Sequence, residues 1–372
     1  MVRSTNSIIY DPRVKKIIGS LIKNYSVSAL GWNRDGITQE KINDYIVRVE
    51  LFNIKTPFWK PSLIRILIRL TLFFPLFWGW VFIKLLGIRP TVVHACDLDT
   101  FLPCYVYKVL FRRKLVFDVF DKGMELIPQR FKKLRSIINF FEELAAQRSD
   151  TLIIAGGEKV LNTFQKKPHH YEILLNCSED HLVGNNAEHP KDSKRFRLVY
   201  TGGIRTDRSL ENVTKAINGL DWVDFNIAGP IIDKEIFREI QKCPNLTYRG
   251  LLQPPDALHL EAFSDALVSL YNPEVAWNNM TLPNKLFEAM MCGIPIITNV
   301  AQDIVNENQC GIIVEYDNIE QIKEAIITLK DNPELLKRLG ENGRRAYLEK
   351  YNWNFMEKRL HRIYETLIKK NN

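Results

Sequence analysis

The chain has 372 residues, of which 46% are hydrophobic and 25% charged, a composition typical of globular proteins with about two domains. This composition excludes a disordered chain and a fibrous repeat. The 51 Lys and Arg exceed the 43 Asp and Glu, and the net charge of +8 favours phosphates, nucleic acid or an anionic membrane as partners without choosing among them.

The six cysteines are scattered along the chain, and none of them forms a C-x-x-C pair. This pattern predicts reduced thiols in a cytoplasmic protein and excludes a zinc site or a disulfide framework. The segment from Met1 to Val14 lacks the apolar core of a secretory signal, which argues against secretion.

Short apolar runs rich in β-branched residues alternate with helical stretches, the pattern of βαβ units in an α/β fold with parallel sheets. The chain begins where a full leading strand is expected before a helix near Asp11-Pro12, so either the given start is late or the first strand is very short. In the first half we predict further strands near residues 27–32, 45–51, 91–96, 114–120, 151–155 and 172–175. In the second half we predict them near residues 197–201, 224–228, 246–248, 266–270, 294–298 and 311–314.

A polar stretch without periodicity, from Cys177 to Phe196, separates the two series of strands and contains Gly184 and Pro190. It predicts a linker between two Rossmann-like domains, over residues 1–185 and 186–350, followed by a helix within 351–372 that crosses back to the first domain. Because ligands of open α/β sheets bind beyond the carboxyl ends of the strands, we expect the site in a cleft between the domains.

An apolar segment from Leu63 to Ile88 departs from this pattern. It contains Pro75 and Gly79, and its uncharged part between Arg69 and Lys84 is shorter than the roughly 17–25 residues of a membrane span. Two interpretations stay open: a helix that covers the sheet, or an interfacial helix within residues 60–88 on an anionic membrane. The second interpretation places at the lipid headgroups Trp59, Trp78, Trp80, Lys60, Arg65 and Arg69.

The stretch LPNKLFEAMMCGIP, from Leu282 to Pro295, predicts a helix that ends at Gly293 before an apolar strand. A helix N-terminus favours an anion, and Lys285 adds a positive charge there. Glu288, one turn further, can accept two hydrogen bonds from a vicinal diol. The motif therefore suits a phosphate and a ribose, although a surface helix with a Lys/Glu pair would look the same.

A second loop, YTGGIRTDRSL from Tyr200 to Leu210, follows the first strand of the second half. Gly202 and Gly203 permit close approach of a ligand to the backbone, and Arg205 and Arg208 can neutralise a diphosphate. The chain contains neither G-x-G-x-x-G nor G-x-x-x-x-G-K-[ST], so the sequence supports neither a dinucleotide fingerprint nor a P-loop NTPase.

Together with FNIAGP at Phe225–Pro230 and LTYRGLL at Leu246–Leu252, these two motifs resemble the nucleotide-sugar domain of retaining GT-B glycosyltransferases of family 4, the glycosyl transferases group 1. The first half is similar to the acceptor domain of that family in DPRVKK, LGWNRDG, VVHACDLDTFLP and KLVFDVFD. The resemblance implies an α/β GT-B fold of two Rossmann-like domains and a hexosyltransferase that needs no cofactor beyond its UDP-sugar or GDP-sugar donor.

Carried over by position, the resemblance implies that Glu288 binds the ribose and that Arg208 holds the diphosphate beside Gly202 and Gly203. The remaining implied donor contacts are Arg205, Gly250, Leu251, Asn284, Lys285 and Leu286. The chain departs from the family at Met280, which stands where the family has a Glu that contacts the donor sugar.

On the acceptor side, His94, Asp97 and Asp99 are expected at the end of a strand, pointing at the cleft. We expect His94 or Asp97 to position the acceptor hydroxyl and take its proton, while Arg208 and Lys285 assist the leaving diphosphate. The alternative is that Asp97 and Asp99 cap the next helix. We expect no metal at this D-x-D sequence, because such metal sites belong to another fold class.

The sequence thus predicts retaining sugar transfer to a membrane-bound or lipid-linked glycan, in cell-envelope polysaccharide or glycoconjugate synthesis. We expect a cytoplasmic enzyme, peripheral on the inner face of the membrane, with no nucleic-acid partner. Two alternatives stay open: a sugar-nucleotide 2-epimerase of the same fold, or a non-catalytic GT-B scaffold whose donor site is inactivated at Met280.

Overall fold

The structure is a computed structural model that describes residues 1–4, 8, 11–34, 48–54, 68–123, 127, 131–180, 195–275, 278 and 282–369. The chain divides into two compact units, one formed by Met1–Asn176 with Met356–Asn372 and the other by Cys177–Phe355. The predicted linker around Gly184 and Pro190, and the predicted boundary between residues 185 and 186, lie outside the described residues.

The first unit is built on a 7-stranded parallel sheet in the order β3-β2-β1-β4-β5-β6-β7. Its strands are β1 (Val2–Arg3), β2 (Ser28–Trp32), β3 (Arg48–Phe52), β4 (Val92–Cys96), β5 (Lys114–Val119), β6 (Thr151–Ile154) and β7 (Tyr171–Ile173). The central strands are buried apolar runs, as expected for a parallel sheet covered on both faces. The predicted strands are confirmed, including the very short first one; the start of the strand predicted at 45–51 lies outside the described residues.

Five helices follow these strands in the described part of the first unit: α1 (Pro12–Leu21), α2 (Phe74–Ile88), α3 (Leu98–Phe111), α4 (Lys132–Arg148) and α5 (Gly157–Leu161). The predicted start near Asp11 is confirmed, because the Asp11 carboxylate accepts from the backbone N–H groups of Arg13 and Val14 and so caps α1. A single π-helical stretch, Arg69–Phe73, leads into α2.

The second unit has a 6-stranded parallel sheet in the order β10-β9-β8-β11-β12-β13. Its strands are β8 (Phe196–Thr201), β9 (Val223–Ala228), β10 (Leu246–Tyr248), β11 (Ala266–Ser269), β12 (Ile296–Thr298) and β13 (Gly311–Ile313). The helices between and after them are α6 (Leu210–Ala216), α7 (Lys234–Ile240), α8 (Pro254–Ala262), α9 (Asn284–Cys292), α10 (Gln302–Asn308), α11 (Ile319–Asp331) and α12 (Pro333–Glu349). All six strands predicted in the second half are present.

The last helix, α13 (Trp353–Lys369), belongs to the first unit from Met356 onward. Its Tyr364 is buried, and the Tyr364 hydroxyl lies 2.8 Å from Nδ1 of His94 in β4. The C-terminal segment therefore completes the core of a unit whose other residues come from the start of the chain.

Candidate active site

The order of strands locates a crevice in the second sheet. From β8 the chain continues to β9 and β10 on one side, whereas β11 continues to β12 and β13 on the other, although β8 and β11 are neighbours. Loops that leave the carboxyl ends of such a pair diverge, and ligands of open α/β sheets bind at this switch point. Gly202 directly follows β8, and Tyr271 follows β11 by two residues.

The glycine loop after β8 is packed tightly against the loop after β9. Gly202 has a φ of +157°, and a Cβ on Gly229, whose φ is +137°, would lie 2.0 Å from the Gly202 carbonyl oxygen. Tyr200 donates its hydroxyl to the carbonyl oxygen of Gly203 at 2.8 Å. The sequence singled out Gly202 and Gly203, but the glycine with the least room is Gly229.

Asp207 holds both arginines of the loop. Its carboxylate lies 2.7 Å from Nη1 of Arg208 and 2.9 Å from Nε of Arg205. The Arg208 guanidinium also lies over the ring of Tyr271, 4.2 Å from the ring centroid. Arg208 is therefore fixed at the switch point with its side chain 17% exposed, whereas the Arg205 side chain is 47% exposed and faces solvent.

Lys285 lies on the first turn of α9 between two carboxylates. Its Nζ is 3.0 Å from Oε1 of Glu261 on α8, and it also forms an ion pair with Glu288 one turn along α9. Thr201, the last residue of β8, donates its hydroxyl to the same Glu261 carboxylate. Glu261 therefore ties α9 to the carboxyl end of β8.

The electrostatics of this cluster depend on burial. Glu261 is fully buried, and burial together with the charge of Glu288 raises its pKa to about 7. Although burial opposes a positive charge on Lys285, Glu288 and Glu261 outweigh that effect and raise the pKa of Lys285. Near neutral pH, Lys285 is therefore charged while Glu261 is partly protonated.

Tyr271, whose ring lies under the Arg208 guanidinium, has a fixed backbone. Asn299 fixes its backbone by accepting from the Tyr271 N–H and donating to the Tyr271 carbonyl oxygen, both at 2.8 Å. Burial raises the pKa of the Tyr271 hydroxyl, which also senses the charges of Arg208, Lys285 and Glu288. Arg208 and the Lys285–Glu288 pair therefore supply two cations suited to a diphosphate and a carboxylate suited to a diol.

The remaining predicted donor residues differ in their surroundings. Gly250 has a φ of +80°, and its carbonyl oxygen accepts from the Gly229 N–H at 2.9 Å, while the neighbouring Leu251 is 69% exposed. Asn284 is the first residue of α9. The side chain of Leu286 is fully buried, and a role of this residue in donor binding stays a prediction. Met280 lies outside the described residues.

His94 lies within β4, so the expectation that it follows the strand is wrong. It is 2% exposed, with Nε2 3.2 Å from the Asp118 carboxylate and Nδ1 bonded to the Tyr364 hydroxyl. Burial lowers the pKa of His94, which favours the neutral ring. Both ring nitrogens have partners inside the first unit, and a role as acceptor base stays a prediction.

Asp97 lies at the switch point of the first sheet, between β1 and β4. It stands at the N-cap position of α3, yet its side chain makes no capping bond, so helix capping by Asp97 is wrong. Its carboxylate instead accepts from the Phe120 N–H at 2.8 Å and pairs with buried Arg3, while Ser4 donates to Asp99. Burial raises the pKa of Asp97 to about 7.

Arg3, Ser4, Asp207, Glu261 and Tyr271 were not predicted from the sequence. Arg3, the last residue of β1, and Ser4, which follows it, were the easier to find, since the end of a central strand at a switch point is a preferred ligand position. Within the described ranges, no group of three or more His, Cys, Asp or Glu residues could hold a metal ion. His169 and His170 are both exposed, in keeping with a surface loop.

Known proteins match either the second half of the chain or most of its length. Residues 205–362 match the family described as glycosyl transferase-like. An uncharacterized glycosyltransferase of Methanocaldococcus jannaschii is 24% identical over 343 residues, which cover 86% of this chain and 80% of the relative. The capsular polysaccharide biosynthesis glycosyltransferase CapM of Staphylococcus aureus is 26% identical over 185 residues, 47% of each chain.

Among solved structures, sucrose-phosphate synthase from Thermosynechococcus elongatus superposes with a TM-score of 0.74 at 15% identity, over 96% of this chain and 93% of that one. Anabaena HepE, solved in complex with UDP, gives 0.74 at 13% identity over 98% and 99% of the two chains. The chain has the GT-B fold. The sequence relatives and the family match confirm the prediction of a glycosyltransferase enzyme.

Proposed function

We propose that this GT-B enzyme transfers a sugar from a UDP-sugar to a lipid-linked glycan with retention of the anomeric configuration. The proposal is supported by two contacts at the switch point of the second sheet: Arg208 lies over the Tyr271 ring, and the Lys285–Glu288 pair is tied to the end of β8 through Glu261 and Thr201. The complexes of HepE with UDP and with UDP-glucose support a uridine nucleotide over the guanosine alternative.

In this mechanism Arg208 and Lys285 stabilise the negative charge that develops on the leaving diphosphate, so that electrostatic stabilisation lowers the barrier. Glu288 accepts hydrogen bonds from the ribose hydroxyls and orients the nucleotide. Gly202 and Gly203 allow the backbone to approach the phosphates. Glu261 on the neighbouring helix α8 keeps Lys285 in place, because it binds the same ammonium group that Glu288 binds on α9.

For the acceptor side we propose Asp97 as the carboxylate that positions the acceptor hydroxyl and receives its proton. A pKa of about 7 suits a general base near neutral pH, because such a group is partly ionised and still basic. Asp97 is also fixed by Arg3 and by the Phe120 N–H, which gives it a defined orientation. His94 is the less suitable candidate, since both of its nitrogens have partners.

The acceptor class and the cellular role are proposed from relatives. CapM acts in capsular polysaccharide biosynthesis, and the Staphylococcus aureus TarM structure contains α-GlcNAc-glycerol and UDP. We therefore propose a role in cell-envelope polysaccharide or glycoconjugate synthesis at the cytoplasmic face of the membrane. The relatives favour transfer over the epimerase and scaffold alternatives, because those that carry an activity name are transferases.

The test is acceptor-dependent release of UDP. The purified enzyme is incubated with UDP-glucose, UDP-N-acetylglucosamine or a GDP-sugar, with and without a lipid-linked glycan extract, and the anomeric configuration of the product is read by NMR. Transfer with release of UDP and an α-linked product supports the proposal. Interconversion of two UDP-sugars without free UDP would support the epimerase alternative instead.

A further inference from the structure

Three successive helices of the first unit lie side by side on one face of its sheet. Helices α2, α3 and α4 connect β3 to β4, β4 to β5 and β5 to β6, and all these steps run in one direction across the sheet. Right-handed crossovers then place all three helices on the same face. The indole N–H of Trp78 in α2 donates to the Asp99 carbonyl oxygen in α3 at 2.7 Å, and α3 packs against α4.

Helix α2 is apolar on both its inner and its outer side. On the inner side Phe74, Phe77, Val81 and Leu85 are buried, and Phe77 stacks on Trp32 with 5.0 Å between the ring centroids. The outer side is exposed by 39% to 66% and carries Leu72 in the preceding turn, Leu76, Ile83 and Leu86. Thr71–Ile88 is long and apolar enough to cross a membrane, yet only 22% of it is buried.

The packing of its inner side explains why α2 does not need to cross a bilayer. To span the membrane, the helix would have to leave Trp32 and Phe77's other neighbours, and it would uncover one side of the sheet. Held on the sheet, α2 instead lies along the surface of the unit and turns its outer leucines and isoleucine to the surroundings. A helix that is apolar all round is typical of a core or of contact with lipid.

Helix α4 reverses the usual pattern of a surface helix. Its Glu142 and Glu143 are 0% and 8% exposed, whereas Phe140 and Phe141 are 63% and 52% exposed. Glu142 accepts from the Gly123 N–H at 2.9 Å, and Lys122 lies 3.7 Å from the same carboxylate. The fold thus holds these carboxylates inside the unit and leaves the aromatic rings outside.

Helix α3, which lies between the other two, has an outer side without charge. Its exposed side chains recur at helical spacing and are exposed by 38% to 63%: Leu102, Val106, Val109 and Leu110. Ile137 and Leu144 of α4 are exposed as well, and we call the exposed apolar side chains of α2, α3 and α4 together the three-helix face. Monomeric soluble proteins rarely expose an apolar patch of this extent unless it binds a partner or a membrane.

The charges around the three-helix face are positive. Exposed basic residues stand at the helix ends: Arg89, Arg112, Lys132, Lys133 and Arg148. All three helices are described along their whole length, and none of their acidic residues, Asp99, Glu142 and Glu143, is exposed. An apolar centre with a basic rim complements the acyl chains and the phosphates of an anionic lipid surface.

We infer that the three-helix face docks the enzyme on the surface of an anionic membrane, with α2, α3 and α4 parallel to it. The inference rests on the proposed function in one respect, since it explains how the enzyme reaches a lipid-linked acceptor. The residues that contact the membrane also differ from those that the sequence predicted. Trp78 and Trp80 are half-buried and pack within the unit, and Trp59, Lys60 and Arg65 lie outside the described residues. The outer residues of α3 and α4 take their place.

The test is co-sedimentation of the full chain with vesicles of phosphatidylcholine alone and of phosphatidylcholine mixed with phosphatidylglycerol. We expect binding to the mixed vesicles, at least about tenfold weaker in the double variant Phe140→Ser/Phe141→Ser, since two large apolar groups are lost from the contact. The control Leu348→Ser changes a side chain of the second unit that is 50% exposed and should bind like the wild type. Lys132→Glu/Lys133→Glu should weaken binding to the anionic vesicles most, and Lys337→Glu on α12 is its control.

Wild-type protein that does not bind the mixed vesicles, or a Phe140→Ser/Phe141→Ser variant that binds as well as Leu348→Ser, would overturn the inference. If the wild type is a dimer that does not bind vesicles and the Phe140→Ser/Phe141→Ser variant is a monomer, the three-helix face binds a second copy of the chain. This result would also overturn the inference. UDP binding is measured in every variant and should be unchanged. Failure of the wild type to bind UDP would count against the proposed function and leave the vesicle result standing.

Discussion

Glu261 on α8 and Lys285 on α9 form an ion pair with 3.0 Å between Oε1 and Nζ, and Thr201 at the end of β8 donates to the same carboxylate. The lysine that the sequence assigned to the diphosphate is therefore held by a carboxylate that the sequence did not single out. Because the pKa of Glu261 is raised to about 7, its charge changes near neutral pH. The net charge that the Lys285–Glu261 pair presents to a ligand changes with it.

The affinity for UDP is expected to depend on pH through Glu261. As the pH rises through about 7, Glu261 ionises and places a negative charge beside Lys285, which weakens the attraction for a diphosphate. Glu261→Gln removes this titration. The affinity for UDP is measured by calorimetric titration from about pH 6 to about pH 8. Over this range the ratio of the wild-type affinity to the Glu261→Gln affinity should fall by a few-fold. Parallel pH profiles for the two proteins would contradict this role of Glu261.

The same shift predicts how stability depends on pH. The folded pKa of Glu261, about 7, lies above the ordinary value of 4.5, so between these values the folded state binds more protons than the unfolded state. The free energy of unfolding contributed by Glu261 is therefore present below about pH 4.5 and is lost as the pH rises through about 7. Urea titrations at several pH values should show a larger loss in the wild type than in Glu261→Gln, which keeps the contribution of Asp97. An equal loss in the two proteins would show that Glu261 is ionised over this pH range.

Gly229 is expected to be required for the loop that carries Gly202. Gly229→Ala would place a Cβ 2.0 Å from the Gly202 carbonyl oxygen at a φ of +137°, and should cost about 2–4 kcal/mol of stability and weaken UDP binding. Gly219→Ala is the matched control, because Gly219 also has a positive φ, +81°, but open space around it. It should cost about 1 kcal/mol and leave UDP binding unchanged. Equal effects of the two variants would argue against the close contact of the loops.

Tyr364 is expected to stabilise the first unit through His94. Tyr364→Phe removes the hydroxyl 2.8 Å from Nδ1 of the buried His94 and leaves that nitrogen without its partner, at a cost of about 1–3 kcal/mol. Thermal unfolding should show the loss, while Tyr171→Phe, which changes a side chain 38% exposed, should show none. UDP binding should be unaffected in both variants. A Tyr364→Phe protein as stable as Tyr171→Phe would show that this hydroxyl does not hold His94.

The fold could be predicted from the sequence because parallel strands buried on both faces are continuous apolar runs. The runs at Lys114–Val119 and Phe196–Thr201 are examples, and their strands form at the predicted places. The motif around Lys285 and Glu288 could also be recognised in the sequence, since the start of the helix, the lysine and the glutamate follow one another in the chain. The likeness to GT-B structures confirms the fold that the motifs implied.

Residues that act through distant contacts could not be predicted in this way. Glu261 precedes Lys285 by 24 positions, and only the packing of α8 on α9 brings the two together. Tyr271 follows an ordinary apolar strand, and nothing in its neighbours indicates that Arg208 lies over its ring. The exposure of Phe140 and Phe141 could not be predicted either, because a helix with both aromatic and acidic residues normally turns the acidic ones outward.

Calorimetric titration with UDP measures whether the switch point of the second sheet binds a nucleoside diphosphate. The wild type should bind UDP, and Glu288→Gln and Arg208→Ala should each bind it at least about tenfold more weakly, because each loses a charged hydrogen-bonding partner of the ligand. Glu341→Gln, in an exposed glutamate of α12, should bind like the wild type. A folded wild type that binds no UDP, or equal affinities for all four proteins, would contradict nucleotide binding at this switch point.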